Sequence, residues 1–302
     1  MGKNNPVKID LTQTAPPLTE EQRKNAQPFD AITNDSPPPA DPDLESSQEW
    51  AIIHAKRTEM SDILNFPNSS VGKLYSVVHE NLTTKAITIE KGTAFVVGKN
   101  VLMTAAHCIY GVVPLTETND EMYGFFERFE YYPAYPFATS PIRIKQACIN
   151  EQYIKHLKNS PGDKDVRIPF DYGFLITEDP IPGIVLNLDT SATTYDKVKS
   201  IGYPDQYPFE GLQYFCEGDT RIEIEKQRIK MSNNDMVPGC SGGPWIYNNT
   251  VVGINSTREH IKGIGNDVGV YSFFSPIITQ EMIDMVENYS VDEDVQLADA
   301  SC

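Results

Sequence analysis

Two stretches far apart in the chain carry residue types suited to nucleophilic catalysis. One reads Val237-Pro238-Gly239-Cys240-Ser241-Gly242-Gly243-Pro244, the other Met103-Thr104-Ala105-Ala106-His107-Cys108. A serine hydroxyl is a weak nucleophile at its own pKa, so it needs a base within hydrogen-bond reach and a third group to orient that base. Glycines on both sides of Ser241 permit a tight turn that exposes the hydroxyl. The same turn can aim the amides of Gly239 and Ser241 at one point, as stabilisation of a developing oxyanion requires. His107 follows two alanines at the end of an apolar run, which leaves room for the imidazole to turn towards a cleft. Asp171 precedes Tyr172-Gly173-Phe174-Leu175-Ile176, a strand expected to be buried on both faces. A carboxylate at its mouth is costly without a partner, and an imidazole would be one.

Each feature alone has a plainer explanation. A Gly-x-Ser-Gly-Gly string can be a glycine-rich turn beside Pro244, a lone histidine at a strand end is usually structural, and Asp171 can be a turn residue after Pro169. Asp163, Asp165, Asp179 and Asp189 are rival carboxylates, but none precedes so apolar a strand. It is the combination that points to chemistry.

Positioning such groups requires a scaffold, and the apolar pattern from about residue 66 to 275 supplies short alternating runs punctuated by Gly, Pro and Asn. Gly72–Val78, Ala86–Ile89, Thr93–Val97, Val101–Thr104, Ile142–Ile144, Gly173–Ile176, Lys197–Ile201, Trp245–Tyr247, Val251–Ile254 and Gly269–Phe273 read as strands. Many short strands with turn signals predict an all-β fold, an antiparallel barrel or sandwich, in place of βαβ units. The stretch 116–165 reads as surface loops. Near the end, Ser275 is the expected cap of a helix whose face is Ile278, Met282, Met285 and Val286. Residues 1–50 hold eight of the 22 prolines with few large apolar groups, and are expected to form a disordered acidic tail. Residues 291–302 are expected to form a second, frayed acidic tail.

A net charge of −17 over 302 residues argues against nucleic acid, whose binding needs clustered Lys and Arg, and against an anionic membrane surface. No run reaches the length of a spanning helix. The first residues lack an apolar core, so no signal peptide is read and location stays open between the cytoplasm and export by another route. The five cysteines lack metal-ligand spacing and the histidines are scattered, so neither a metal nor an organic cofactor is expected. Disulfide pairing is left open.

The ordered set Thr104-Ala105-Ala106-His107-Cys108, Asp171-Tyr172-Gly173-Phe174-Leu175 and Gly239-Cys240-Ser241-Gly242-Gly243-Pro244 resembles the chymotrypsin-type serine peptidases. Within them it is most similar to the glutamyl-endopeptidase branch, with support from Pro67–Leu74, Gly92–Gly98 and Ile201–Pro204. The resemblance spans roughly residues 66 to 290. It implies a trypsin-like domain over residues 51–290, built as two six-stranded barrels divided near 180–195, with His107, Asp171 and Ser241 in the cleft. It further implies that Ser256 supports Asp171 and that Gly253-Ile254-Asn255-Ser256 lies along bound substrate. Two departures stand out. Cys240 occupies the position where trypsin-like members carry the aspartate that receives the new N-terminal amine. Gly92 stands where Cys108 usually finds its disulfide partner.

Side-chain preference stays open between two readings. Glutamate-cleaving members carry a histidine at the position of Asn255. Asp235 stands where trypsin-like members bind Lys or Arg, although Asn233-Asn234-Asp235 reads equally as a turn, and Gly269 resembles the far wall of an open pocket. The expected function is that of a monomeric serine endopeptidase acting on polypeptides. The rival is a catalytically silent module of the same fold that binds peptides or partners. A third possibility is that the N-terminal tail keeps an active enzyme latent.

Overall fold

The computed structural model describes residues 6–11, 15–28, 55–81, 84, 86–114, 121–205, 209, 211–234, 236–261 and 270–290. The chain starts with strand β1 (Pro6–Asp10), helix α1 (Glu20–Asn25) and strand β2 (Gln27–Pro28), followed after residue 55 by β3 (Lys56–Arg57) and α2 (Met60–Ile63). Next come β4 (Val71–Glu80), β5 (Ile87–Gly98), β6 (Val101–Thr104), the hairpin β7 (Tyr110–Pro114) and β8 (Glu121–Phe125), β9 (Arg128–Pro133), β10 (Ile142–Asn150), α3 (Glu151–Asn159) and β11 (Gly173–Thr177). In order β10-β11-β6-β5-β4-β9, six of these form an antiparallel sheet that closes on itself where Ile142 pairs with Tyr131 and Arg143 with Glu130.

Aliphatic and aromatic side chains of Leu74, Val96, Leu102, Phe129, Tyr131, Ile144 and Leu175, which share one face of the sheet by its pairing register, fill this barrel. The stretch 116–165 is therefore not a set of surface loops. It contributes two barrel strands: β10, whose start Ile142–Ile144 reads as a strand from sequence, and β9, which the run Arg128-Phe129-Glu130-Tyr131-Tyr132 hides because its charged residues are themselves buried. Glu130 Oε1 accepts from Leu18 N at 2.7 Å and Glu130 Oε2 accepts from Tyr132 Oη at 3.0 Å.

The expected disordered tail also differs from what residues 6–11 and 15–28 form. β1 adds antiparallel to β10 over five residue pairs, and β2 pairs in parallel with β5 at Glu90 and Lys91. Leu18 and Ala26 pack on Tyr75, Val77, Ile89 and Tyr132, which face outward from the barrel strands. Those outward apolar faces need a cover, and the N-terminal segment provides it. Residues 29–54 and 291–302 lie outside the described residues.

The second half comprises β12 (Asn187–Leu188), β13 (Val198–Gly202), β14 (Tyr214–Gly218), β15 (Thr220–Glu223), β16 (Arg228–Ser232), β17 (Pro244–Tyr247), β18 (Thr250–Ile254), β19 (Thr257–Ile261), β20 (Val270–Pro276) and helix α4 (Gln280–Tyr289). The pairing runs β18-β17-β13-β14 in one sheet and β15-β16-β20-β19 in another. β14 passes into β15 across Asp219, and β18 passes into β19 across Asn255–Ser256, so two bent strands complete a second six-strand circuit. Its core is centred on Trp245, Val198, Met231, Val252 and Phe273.

α4 buries Met282, Met285 and Val286, the face expected from sequence, but it starts later than expected. Thr279 caps it, while Ser275 is the penultimate residue of β20 and its Oγ accepts from Ile254 N at 2.8 Å.

Candidate active site

The imidazole of His107 sits on a single turn of 3-10 helix, Ala106–Cys108, that follows β6 directly. Asp171 ends another such turn, Ile168–Phe170, just before β11, the neighbour of β6 in the barrel. This pairing brings the two together. Asp171 Oδ1 accepts the His107 backbone N–H at 3.0 Å and Oδ2 meets Nδ1 at 2.8 Å. Ser256, at the bend between β18 and β19, donates from Oγ to the same Oδ2 at 2.5 Å. His107 is 7% exposed and Asp171 is 4% exposed.

Burial opposes the charge on both groups, and their mutual attraction outweighs it. For Asp171 burial raises the pKa, but the His107 charge, its hydrogen bonds and the Ser256 hydroxyl bring the carboxyl below its ordinary value. For His107 burial pushes the pKa down, but the Asp171 charge and the adjacent Cys108 carry it well above the ordinary imidazole value. An ionised carboxylate can only accept, so the neutral imidazole carries its proton on Nδ1 and offers the lone pair of Nε2 for base chemistry.

Ser241 lies in the loop between β16 and β17, on the second half of the molecule. Every backbone carbonyl from Val237 to Ser241 has a donor. Val237 O accepts from Cys240 N, Pro238 O from Asp205 N at 2.9 Å, Cys240 O from Gly243 N at 2.9 Å, and Ser241 O from Thr93 N at 2.9 Å. Gly239 O accepts from Thr93 Oγ1 at 3.0 Å. The amides of Cys240 and Gly243 donate within this network and that of Gly242 to Asn255 O at 2.7 Å, whereas those of Gly239 and Ser241 meet no acceptor among the described residues. The loop thus presents two N–H groups whose partners must come from outside it.

Two glycines make this shape possible. Gly239 has φ +100° and Gly242 has φ +82°, in the region that a Cβ disfavours. A Cβ on Gly242 would lie 2.1 Å from Thr104 Oγ1 and 2.8 Å from Ala105 N, so the residue after Ser241 packs directly on the strand end that carries His107.

Asn255 departs from the expectation that it contacts substrate. It is fully buried, and its Oδ1 accepts from Trp245 Nε1 at 2.7 Å, Ser200 Oγ at 3.1 Å and Asn234 Nδ2 at 3.2 Å. Its Nδ2 donates to Cys240 O at 3.3 Å. With three donors on its oxygen and Cys240 O accepting from its amide, the side chain is committed to the interior and braces the Val237–Ser241 loop from below instead of facing a cleft. Sequence reasoning missed this network, as it missed Thr93, whose hydroxyl and amide both hold the loop; a threonine inside a strand pattern carries no visible sign of such a role. Asp235 and Gly269 lie outside the described residues.

Cys108, Cys148, Cys216 and Cys240 are buried, and among the described residues none of them is in a disulfide. The Cys108 thiol, which burial pushes up in pKa, donates to Ser241 O at 3.7 Å. Among the described residues no group of three His, Cys, Asp or Glu side chains converges as a metal site.

A family model for the trypsin-like peptidase domain matches residues 92–254, which contain His107, Asp171 and Ser241. Among solved structures, a Glu endopeptidase in complex with MPD aligns with 79% of this chain and 97% of its own at 15% identity and a TM-score of 0.52. A scabies mite inactivated protease paralogue, S-D1, aligns with 80% of this chain and 99% of its own at 13% identity and a TM-score of 0.51. These likenesses show the fold, that of the chymotrypsin-type serine proteases. One of the two is an inactivated paralogue, so the fold does not decide turnover and the site geometry must. Spanning more than half of the sequence, the family match shows that the chain belongs to the trypsin-like peptidases.

Proposed function

We propose that this protein is a serine endopeptidase that cleaves polypeptides through an acyl-enzyme intermediate. The observation that carries the reading is the pairing of a buried, doubly bonded Asp171–His107 unit with a nucleophile loop that keeps two amides available. Ser241 Oγ attacks the scissile carbonyl carbon while His107 Nε2 takes its proton. The amides of Gly239 and Ser241 donate to the oxyanion of the tetrahedral adduct. His107 then gives the proton to the leaving amine as the C–N bond breaks, leaving an ester on Ser241. Water, deprotonated by His107, attacks that ester and the same steps run again to release the acid. Asp171 holds the Nδ1–H tautomer and stabilises the imidazolium, and Ser256 holds Asp171.

Turnover of a denatured protein substrate tests this. Ser241→Ala is expected to lower kcat by about 10⁶-fold with an unchanged thermal transition. Equal rates for the substituted and original proteins would remove Ser241 from the reaction. A wild-type chain that binds peptides but never cleaves them would make it a silent module of the same fold.

A further inference from the structure

Beside the nucleophile loop lies a buried charge cluster that the reaction itself does not use. Asp205 Oδ2 accepts from Lys73 Nζ at 2.9 Å and from Lys91 Nζ at 2.6 Å. Lys73 and Lys91 are 3% and 6% exposed. Lys73 also donates to Gly211 O at 3.0 Å and lies over the ring of Tyr135 at 5.1 Å. Two ammonium groups withdrawn from water around one carboxylate make a poor source of stability by themselves, because their desolvation offsets most of the attraction. What the cluster does is fix the place of Asp205.

That place matters for the loop. Asp205 N donates to Pro238 O at 2.9 Å, one residue before Gly239. A Cβ on Gly239 would lie 2.6 Å from Tyr203 O and 2.9 Å from Asp205 N, so the two segments are in contact. Lys91 and Thr93 are two apart on β5 and therefore project to the same side of the strand. Thr93 Oγ1 holds Gly239 O directly and also accepts from Tyr203 N at 3.0 Å. One face of β5 thus grips the loop twice, through Thr93 and, by way of Asp205, through Lys91. The residue before the nucleophile is Cys240, packed in the second core, and it has no charge through which a cation could act.

We propose that Lys73 and Lys91, acting through Asp205, are positioning residues that hold the Val237–Ser241 loop with the Gly239 and Ser241 amides turned towards the reacting carbonyl. This rests on the serine endopeptidase reading. The loop is then shaped by an ion cluster internal to the folded chain, with no need for a newly released N-terminal amine.

Steady-state kinetics on a peptide amide substrate test it, together with affinities for two probes in the full chain. One probe is a peptide boronate, whose tetrahedral adduct puts an oxygen where the oxyanion forms. The other is the product peptide, which resembles the ground state. Asp205→Asn is expected to lower kcat by about 10–100-fold, less than deletion of an oxyanion donor, and to change KM by less than about threefold. Boronate affinity should fall in step with kcat while product affinity holds, and Asp205→Glu should recover part of the loss. If Asp205→Asn does not fold, Lys91→Met leaves the Lys73–Asp205 pair and is expected to show the same split at about three- to tenfold.

Folded variants with wild-type kcat and boronate affinity would overturn the proposal, as would a loss confined to KM or to the thermal midpoint. A wild-type chain that neither cleaves substrate nor binds boronate would overturn the endopeptidase reading along with it.

Discussion

In the first barrel, six strands close by direct pairing of β9 with β10, whereas the second circuit closes only through strands that change sheets at Asp219 and at Asn255–Ser256. The regular barrel presents His107 and Asp171 at the ends of neighbouring strands. The bent strand contributes differently: its break turns Ser256 onto Asp171 and sets Asn255 beneath Cys240. Regular pairing gives His107 and Asp171 a rigid platform. Interrupted pairing frees backbone and side chains to brace a loop that no ladder could hold. Substitutions at the bend should therefore affect turnover, and losses at the outer edge of the first barrel should affect stability alone.

After Ser241→Ala, the largest effect on turnover is expected from Asp171→Asn, which loses the tautomer control and the counter-charge. It should lower kcat by about 10⁴-fold with little change in the circular dichroism spectrum. Next, Asn255→Leu strands the donors of Trp245, Ser200 and Asn234. The loss of stability should be roughly 3 kcal/mol or more, and kcat should fall by about 10–100-fold because the loop beneath Ser241 loosens. A wild-type kcat in a folded Asn255→Leu protein would break the comparison. Ser256→Ala should lower kcat by about tenfold, since it removes one charge-assisted bond to a carboxylate that keeps its other two.

At the far end of the scale, a chain shortened to begin at Ala55 loses the burial of Leu11 and Leu18. It should be less stable by about 3–6 kcal/mol in urea unfolding while kcat stays within about twofold. A large fall in kcat there would tie the N-terminal segment to the site. A rise would favour latency.

The ion pair also fixes how pH acts. Asp171 titrates below its ordinary value of 3.8, so its contribution is present above that value and is lost as pH falls through the lower folded one. His107 titrates above its ordinary 6.5, so its contribution is complete below that value and is lost as pH rises through the higher folded one. Stability from the pair is thus greatest between those two ordinary values. Turnover needs the neutral imidazole and should climb on the alkaline side, where that stabilisation fades. Thermal midpoints measured across pH should show this opposition in the original protein and a flatter profile in Asp171→Asn.

The candidate site was legible in the sequence because the chemistry proposed for it restricts residue types. Glycines on both sides of Ser241, alanines before His107 and an apolar strand after Asp171 each answer a physical need visible in one dimension. The braces were not legible. Thr93 reaches Gly239 across 146 residues, Asp205 meets Lys91 from the other half of the chain, and Asn255 folds back 15 residues onto Cys240, while their types are common in any strand or turn. Residues 6–11 and 15–28 of the N-terminal segment were misread for a related reason. Its prolines dominate the composition, while the apolar surface it covers belongs to Tyr75, Val77 and Tyr132, far along the chain. The helix near the C-terminus showed its buried face correctly, and its start was displaced because Ser275 satisfies a strand amide instead of a helix end.

The most direct test of the central claim is reaction of the full chain with a fluorophosphonate, followed by peptide mapping of the adduct. The phosphonyl group should be found on Ser241 alone, and His107→Ala should slow its attachment by orders of magnitude. Attachment at another residue, or equal labelling of the original protein and of Ser241→Ala, would contradict the account.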